Sequence, residues 1–205
     1  MSEIYVRRAI ETAINGMAGM NTIVSSSVAT STVITTTLPH GLSTGMIVTI
    51  VGHSGSTPSI NSSYVVTVTG ASTFTVPVNV TVAGTGGGFT VTAWENIAFT
   101  KPAPIIPYQV VWFPDFTTEN PTMGDGFYRI HSYFQIDLMY PILKGTSAIE
   151  TRVQLVKDTF KRGTSFTNNG VTVRIEDTPF ASIGVADVDA YKKAVKVRYW
   201  ADIFA

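Results

Sequence analysis

The sequence has no cysteine and only three histidines in 205 residues. The missing thiols exclude disulfides, thiolate metal sites and cysteine nucleophiles, and they leave the redox compartment open, with intracellular folding the simpler reading. Long apolar runs are missing too. No segment approaches the roughly 20 apolar residues that a bilayer-crossing helix needs. Arg7 and Arg8 are not followed by an apolar stretch, so no signal peptide is expected and the chain should be soluble, without a membrane partner. Charge of one sign is not in excess either: 14 basic and 14 acidic residues give a net charge of zero. The chain as a whole therefore offers no electrostatic reason to bind nucleic acid or an anionic surface.

A further absence is local. From Met20 to Ala93 there is no Asp, Glu, Lys or Arg, so every formal charge lies outside that window. Inside it Thr, Ser, Val and Gly dominate. The short apolar runs Ile47–Ile50, Tyr64–Val68 and Phe74–Val78 are separated by Gly or Pro turns at intervals of about eight to twelve residues. That spacing predicts a small antiparallel sandwich or barrel. The competing reading, a disordered Thr/Ser linker, fits poorly with so many β-branched residues and several aromatics.

Outside the window the texture is different. Val6, Ile10, Ala13, Ile14 and Met17 recur at helical spacing after Ser2, a candidate cap, and Gly16 and Gly19 end that helix. Three prolines between Lys101 and Pro107 favour extended backbone, Tyr108–Phe113 predicts a strand, and Pro114–Gly126 reads as a loop. Phe127–Tyr140 then alternates over fourteen residues. Tyr128, Ile130, Phe134, Ile136 and Leu138 fall on one face, and Arg129, His131, Gln135 and Asp137 on the other. Ser147-Ala-Ile-Glu150 predicts a capping box opening a second helix, whose stripe Ile149, Val153, Val156, Phe160 can cover the strand before Gly163 ends it. Asn168-Asn-Gly170 is a turn feeding Val171, Val173 and Ile175, Asp177–Asp189 reads as a loop, and Lys193–Phe204 alternates again. The first helix should meet this final strand. The expected fold class is α+β: residues 1–19 and 94–205 form one discontinuous domain, a sheet with two packed helices, and residues 20–93 form an inserted all-β sandwich or barrel module.

Chemistry is sparse. His40 and His53 lie in the charge-free window without a carboxylate to orient them, so they read as turn or surface histidines. Gly84-Thr-Gly-Gly-Gly88 precedes a strand and lacks a following Lys-Ser or Lys-Thr, which makes it a hairpin or hinge rather than a phosphate cradle. Asp125, Asp137, Asp187 and Asp189 show no cation-loop spacing and read as surface loop carboxylates. Lys192, Lys193, Lys196 and Arg198 are the one basic concentration, either a phosphate contact or, the preferred reading, a solvated strand face or half of a subunit interface. No catalytic, cofactor or metal set is visible, and the chain is not expected to be an enzyme. What remains is a strand surface with aromatics among charges, the mixture of protein interfaces. The candidate interface residues are Arg129, His131, Tyr133, Asp137, Lys196, Arg198 and Trp200.

Two patterns resemble known families. Trp94-Glu-Asn-Ile-Ala-Phe-Thr100, Glu119-Asn-Pro-Thr-Met-Gly-Asp-Gly-Phe-Tyr-Arg129 and Gly170-Val-Thr-Val-Arg-Ile175 resemble the tail terminator-like proteins of long-tailed phages. Separately, His40-Gly-Leu-Ser-Thr-Gly45, Val48-Thr-Ile50, Asn61, Tyr64-Val-Val-Thr-Val68 and Thr73-Phe-Thr-Val76 are similar to a small, Ig-like β-module recurring in phage structural proteins, although Met46 stands where an acidic residue is frequent. The first resemblance implies a virion protein at the head-proximal end of the tail, made in the host cytoplasm. It would cap the tail tube as a ring, expected to be a hexamer, stop polymerisation and join tail to head. The implied partners are further copies of itself, the tail tube protein, a head connector or neck protein and, in the lumen, the passing DNA; no cofactor is implied. The module is expected on the outside of the ring. An alternative is a surface-binding protein whose module recognises carbohydrate or the host.

Overall fold

The computed structural model describes residues 3–95, 97–103, 105–114, 117–120 and 126–204. Ser2, Asn96 and residues 121–125, with Asp125 among them, lie outside the described residues. Among the described residues two helices, α1 (Glu3–Asn15) and α2 (Ser147–Thr159), accompany fifteen strands. In the first part of the chain these are β1 (Asn21–Ser26), β2 (Thr32–Thr36), β3 (Ile47–Val51), β4 (Ser63–Val65), β5 (Thr67–Gly70), β6 (Thr73–Val76) and β7 (Gly88–Trp94). The remainder are β8 (Tyr108–Trp112), β9 (Thr117–Glu119), β10 (Phe127–Pro141), β11 (Ser165–Asn168), β12 (Val171–Ile175), β13 (Phe180–Ala181), β14 (Val185–Ala186) and β15 (Ala190–Phe204). Neither helix is long and apolar enough to cross a membrane.

The expected α+β class is corrected: the chain is mainly β. Its strands join in one mixed network, with the order β11-β12-β15-β10-β8-β7-β1-β2-β6-β5 along the main path. Among the described residues fifteen strands outweigh two helices of 13 residues each, and even β9, β13 and β14, too short to alternate, are held by ladder bonds along the long strands they flank. The segments expected as loops at 114–126 and 177–189 therefore carry strands.

Strand β1 is the hinge of the charge-free part. Its first residues pair with β7, and the rest pair with β2, across a register shift between Ile23 and Ser25. The sheets β4-β3-β7-β1 and β1-β2-β6-β5 thus share one strand and close around Ile23, Ile34, Ile50, Ile60, Phe74 and Phe89. Ile106 and Tyr108 from beyond residue 93 enter the same core. The joint with the rest of the chain is a parallel pairing, Thr92–Trp94 of β7 against Gln109–Val111 of β8. Parallel strands need a connection that crosses back, and the proline-containing passage 95–107 supplies it.

The second core lies between the helices and the long antiparallel pair β10 and β15, in register from Phe127 opposite Phe204 to Pro141 opposite Ala190. The period of two places Ile130, Phe134, Ile136 and Leu138 beside Val195, Val197, Tyr199 and Ala201. Val153, Val156 and Phe160, the last just past the end of α2, and Val6, Ile10 and Ile14 of α1 cover them. Helix α1 packs chiefly over β11 and β12 rather than over the final strand. The predicted capping box does not form. Thr146 is the N-cap and makes no side-chain cap bond, and Glu150 pairs instead with Lys193 of β15. A charged partner competes well with an end amide for the carboxylate.

Candidate functional site

The face of β10 and β15 turned away from the helices is the open surface of this sheet. Cross-strand partners share a face, so the register builds rows across it. Arg129 lies opposite Asp202, His131 opposite Trp200, Tyr133 opposite Arg198, and Gln135 opposite Lys196. Neighbouring strands extend them: Arg174 lies beside Trp200, Trp112 beside Gln135, and Phe180 beside Lys196. The last row therefore reads Trp112, Gln135, Lys196, Phe180 across four strands, and both aromatic ends are exposed.

Charges on this face are arranged around the aromatics. Arg129 donates through Nε and Nη2 to the two Asp202 oxygens at 2.7 and 3.0 Å, and its guanidinium lies 4.3 Å above the Trp200 ring. The Asp202 hydrogen bond raises the Arg129 pKa. Arg174 approaches the same ring at 5.6 Å, and Lys196 Nζ sits 5.2 Å over Tyr133. His131 stands between Glu119 and Glu176 at 3.6 and 3.9 Å, and Arg198 is 3.7 Å from Asp177. Such exposed pairs contribute little stability individually. Acids and bases are nearly balanced, and the Trp200 and Tyr133 rings already have cations over them. A nucleic acid is poorly served by such a face, because it needs net positive charge and free stacking surfaces.

Six of the seven predicted interface residues, Arg129, His131, Tyr133, Lys196, Arg198 and Trp200, are brought together on the open face. Asp137 points to the same side but is 2% exposed, so its reading as a surface loop carboxylate is corrected. The charge-free part of the chain covers this end of the sheet, where Met139 and Val110 pack against its core. The buried carboxylate accepts from Lys192 Nζ at 2.6 Å, Gln135 Nε2 at 2.7 Å and Trp112 Nε1 at 3.1 Å. Asp189 is paired with Lys101, and Asp187 is exposed. The basic run does not form one patch: Lys193 serves Glu150, Lys192 serves Asp137, and Lys196 and Arg198 remain on the open face.

The histidines of the charge-free part are corrected as well. His40 and His53 are 3% and 4% exposed. The His53 ring lies 2.8 Å from the Gly86 carbonyl and 2.9 Å from Ser26 Oγ, and its backbone N–H donates to Asn61 Oδ1. The His40 ring accepts from the Leu42 amide, lies 3.2 Å from the Thr73 carbonyl and packs edge-on against Phe74. Backbone and hydroxyl groups take the place of the carboxylate, and that substitution leaves no short-range signal in sequence. The glycine cluster is the wall that receives His53: a Cβ on Gly84 or Gly87 would collide with it.

Two clusters escaped the sequence reading. Glu95 accepts from Arg7 of α1 and from the Phe113 amide, while Trp94 stacks on Phe113, so this motif ties the first helix to the sheet. Arg152 of α2 is buried and, among the described residues, has no carboxylate partner. It donates to the Ala18 carbonyl and, at 3.0 Å, to Gln109 Oε1, and burial lowers its pKa to about 10. Both clusters join residues more than 40 positions apart, and nothing local announces them. Among the described residues no group of three or more His, Cys, Asp or Glu is placed to hold a metal.

A family model described as phage tail terminator protein matches residues 88–199. The match begins at β7, the strand that joins the charge-free part to the rest of the sheet, and ends within β15. No curated protein matches the chain. Among the solved structures that match, one aligns with a TM-score of 0.43 at 18% identity, covering 56% of this chain and 80% of that one, a likeness that carries no argument.

Proposed function

The chain belongs to the phage tail terminator family, a structural rather than enzymatic family of the phage tail, and from that premise we propose that it caps the completed tail tube as a closed ring. The ring, a hexamer, stops tube polymerisation at the head-proximal end and presents its outer surface to the head connector or neck protein. Its partners are further copies of itself, the tail tube protein and the neck protein, with DNA passing through the lumen. Synthesis is in the host cytoplasm. The family match carries this reading. The open face of β10 and β15 supports it, because it offers aromatics, paired charges and a continuous ladder to a protein partner. The charge-free part lies at the ring's periphery.

The carbohydrate-binding alternative has no observation in its favour. Residues 20–93 contain three aromatics: Phe74 and Phe89 are buried in the core and Tyr64 is half-buried. The decisive experiment adds the purified chain to growing tail tubes. Electron microscopy should show capped tubes that no longer lengthen, and light scattering should show a ring-sized oligomer, free or on the tube. A strict monomer that leaves tube growth unchanged would overturn the reading.

A further inference from the structure

The segment from Ile183 to Val188 is an anomaly. Ile183 and Val188 are 89% and 91% exposed, Val185 is exposed beside them, and the neighbouring Asp187 is exposed too. A concentration of bare aliphatic side chains in six residues marks an interaction site more often than a loop. The backbone beneath them is tightly held. The Ser182 amide donates to the Ala194 carbonyl and its hydroxyl accepts the Ala194 amide, β14 pairs with Lys192 and Tyr191, and the Asp187 amide donates to the Ala190 carbonyl. Gly184 lies directly on the Tyr191 ring, where no Cβ fits. Lys101 and Asp189 pin the far end. The apolar side chains are thus presented on a fixed frame.

We propose that this segment of one copy seats on the open β10 and β15 face of the next copy. Charge complementarity and apolar match favour a second copy as the occupant. Among the described residues, Arg174 and Lys196 on the face have no carboxylate partner and stand beside Trp200, Tyr133, Trp112 and Phe180. The segment offers what that face lacks, a carboxylate at Asp187 amid aliphatic side chains. The two patches share no residue. Pairing them between copies is therefore heterologous, the type of contact that closes into a ring. The inference rests on the ring reading and adds the contact that builds it.

The test is a mixing experiment on full-length chains. A face variant carries Arg174→Glu and Lys196→Glu, and a segment variant carries Ile183→Asp and Val188→Asp. Circular dichroism checks that each melts as the parent does; if either does not, Lys196→Glu alone and Val188→Asp alone replace them. In sedimentation each variant alone should lose the ring, with at least a tenfold weaker association. Mixed one to one, they should form dimers, since each pair retains one intact contact and cannot extend further. Rings formed by both variants alone, or folded variants that fail to associate on mixing, would overturn the contact and leave the ring reading standing. A parent chain that is monomeric both free and on tail tubes would remove the ring reading itself.

Discussion

The carboxylate of Asp137 is the point at which the covered end of the sheet meets its open face, and it makes a sharp test of how this sheet is held. Lys192→Met takes away one charge-assisted hydrogen bond, at 2.6 Å, from a carboxylate that keeps the two neutral donors of Gln135 and Trp112. Such a bond is worth about 1.5–3 kcal/mol. Because the Lys192 side chain is 40% exposed, the lower end, about 1.5 kcal/mol, is expected. Asp137→Ala removes the acceptor from all three donors. The ammonium and the exposed Trp112 indole can turn to water, which holds the cost to about 2–4 kcal/mol. In the double variant no buried charge is left without its counter-charge, so the combined cost should fall about 1–2 kcal/mol short of the sum. Urea unfolding followed by circular dichroism measures all four corners of the cycle. Costs that add to within about 0.5 kcal/mol would refute the coupling, and a Lys192→Met variant as stable as the parent would mean that the pair does not hold the sheet.

Two further outcomes follow from single residues. Gly87→Ala should cost more than about 2 kcal/mol, because Gly87 has a φ of +78° and a Cβ there meets the His53 backbone; Gly170→Ala, with a φ of +81° but open space around it, should cost only about 1 kcal/mol, and equal urea midpoints for the two would contradict the wall that the glycines form around His53. The Tyr140 hydroxyl, with its pKa raised from 10 to about 12 by burial, holds its proton in the folded state after the unfolded chain has lost it; its contribution of about 3 kcal/mol is therefore complete below pH 10 and lost as pH rises towards 12, so the fall in stability between pH 9.5 and 11.5 should be shallower in Tyr140→Phe, and an unchanged slope would refute the assignment.

The legible part of the fold was the part with long periods. Fourteen alternating residues in β10, and nearly as many in β15, are enough to define two faces, and they placed six open-face residues together. What stayed hidden was set by pairing alone. Strands of two or three residues such as β9, β13 and β14 carry no period, and they exist because β10 and β15 are long enough to offer unpaired edges. Charge segregation carries no sign that Ile106 and Tyr108, beyond residue 93, complete the core of the charge-free part. The buried histidines were misread for a related reason. A carboxylate partner can be searched for in sequence, but the carbonyl of Gly86 or Thr73 is available at every position, and only folding brings it near.

The distribution of charge has a structural logic. Among the described residues, apart from one bridge within α1, each ion pair joins separate segments of the chain. Arg7 and Glu95 hold α1 to the end of β7, Lys193 and Glu150 hold α2 to β15, Lys101 and Asp189 join the crossing passage to the segment before β15, and Arg129 and Asp202 bridge the long strands. Individually these pairs are weak and salt-sensitive, so they add to the placement of helices and arms that the apolar core and the strand ladders already hold. The charge-free part has no such arms. Its two sheets share β1 and enclose their core, and several of its polar side chains donate to backbone carbonyls, as Thr32 does to Val78 and Thr36 to Leu38. Raised salt should therefore weaken the exposed ion pairs and any contact between copies built on the open face well before it affects either apolar core. The presented segment beside β15 and the face it is proposed to meet both lie on the salt-sensitive side of that division, where an assembly contact can be made and adjusted without disturbing the fold behind it.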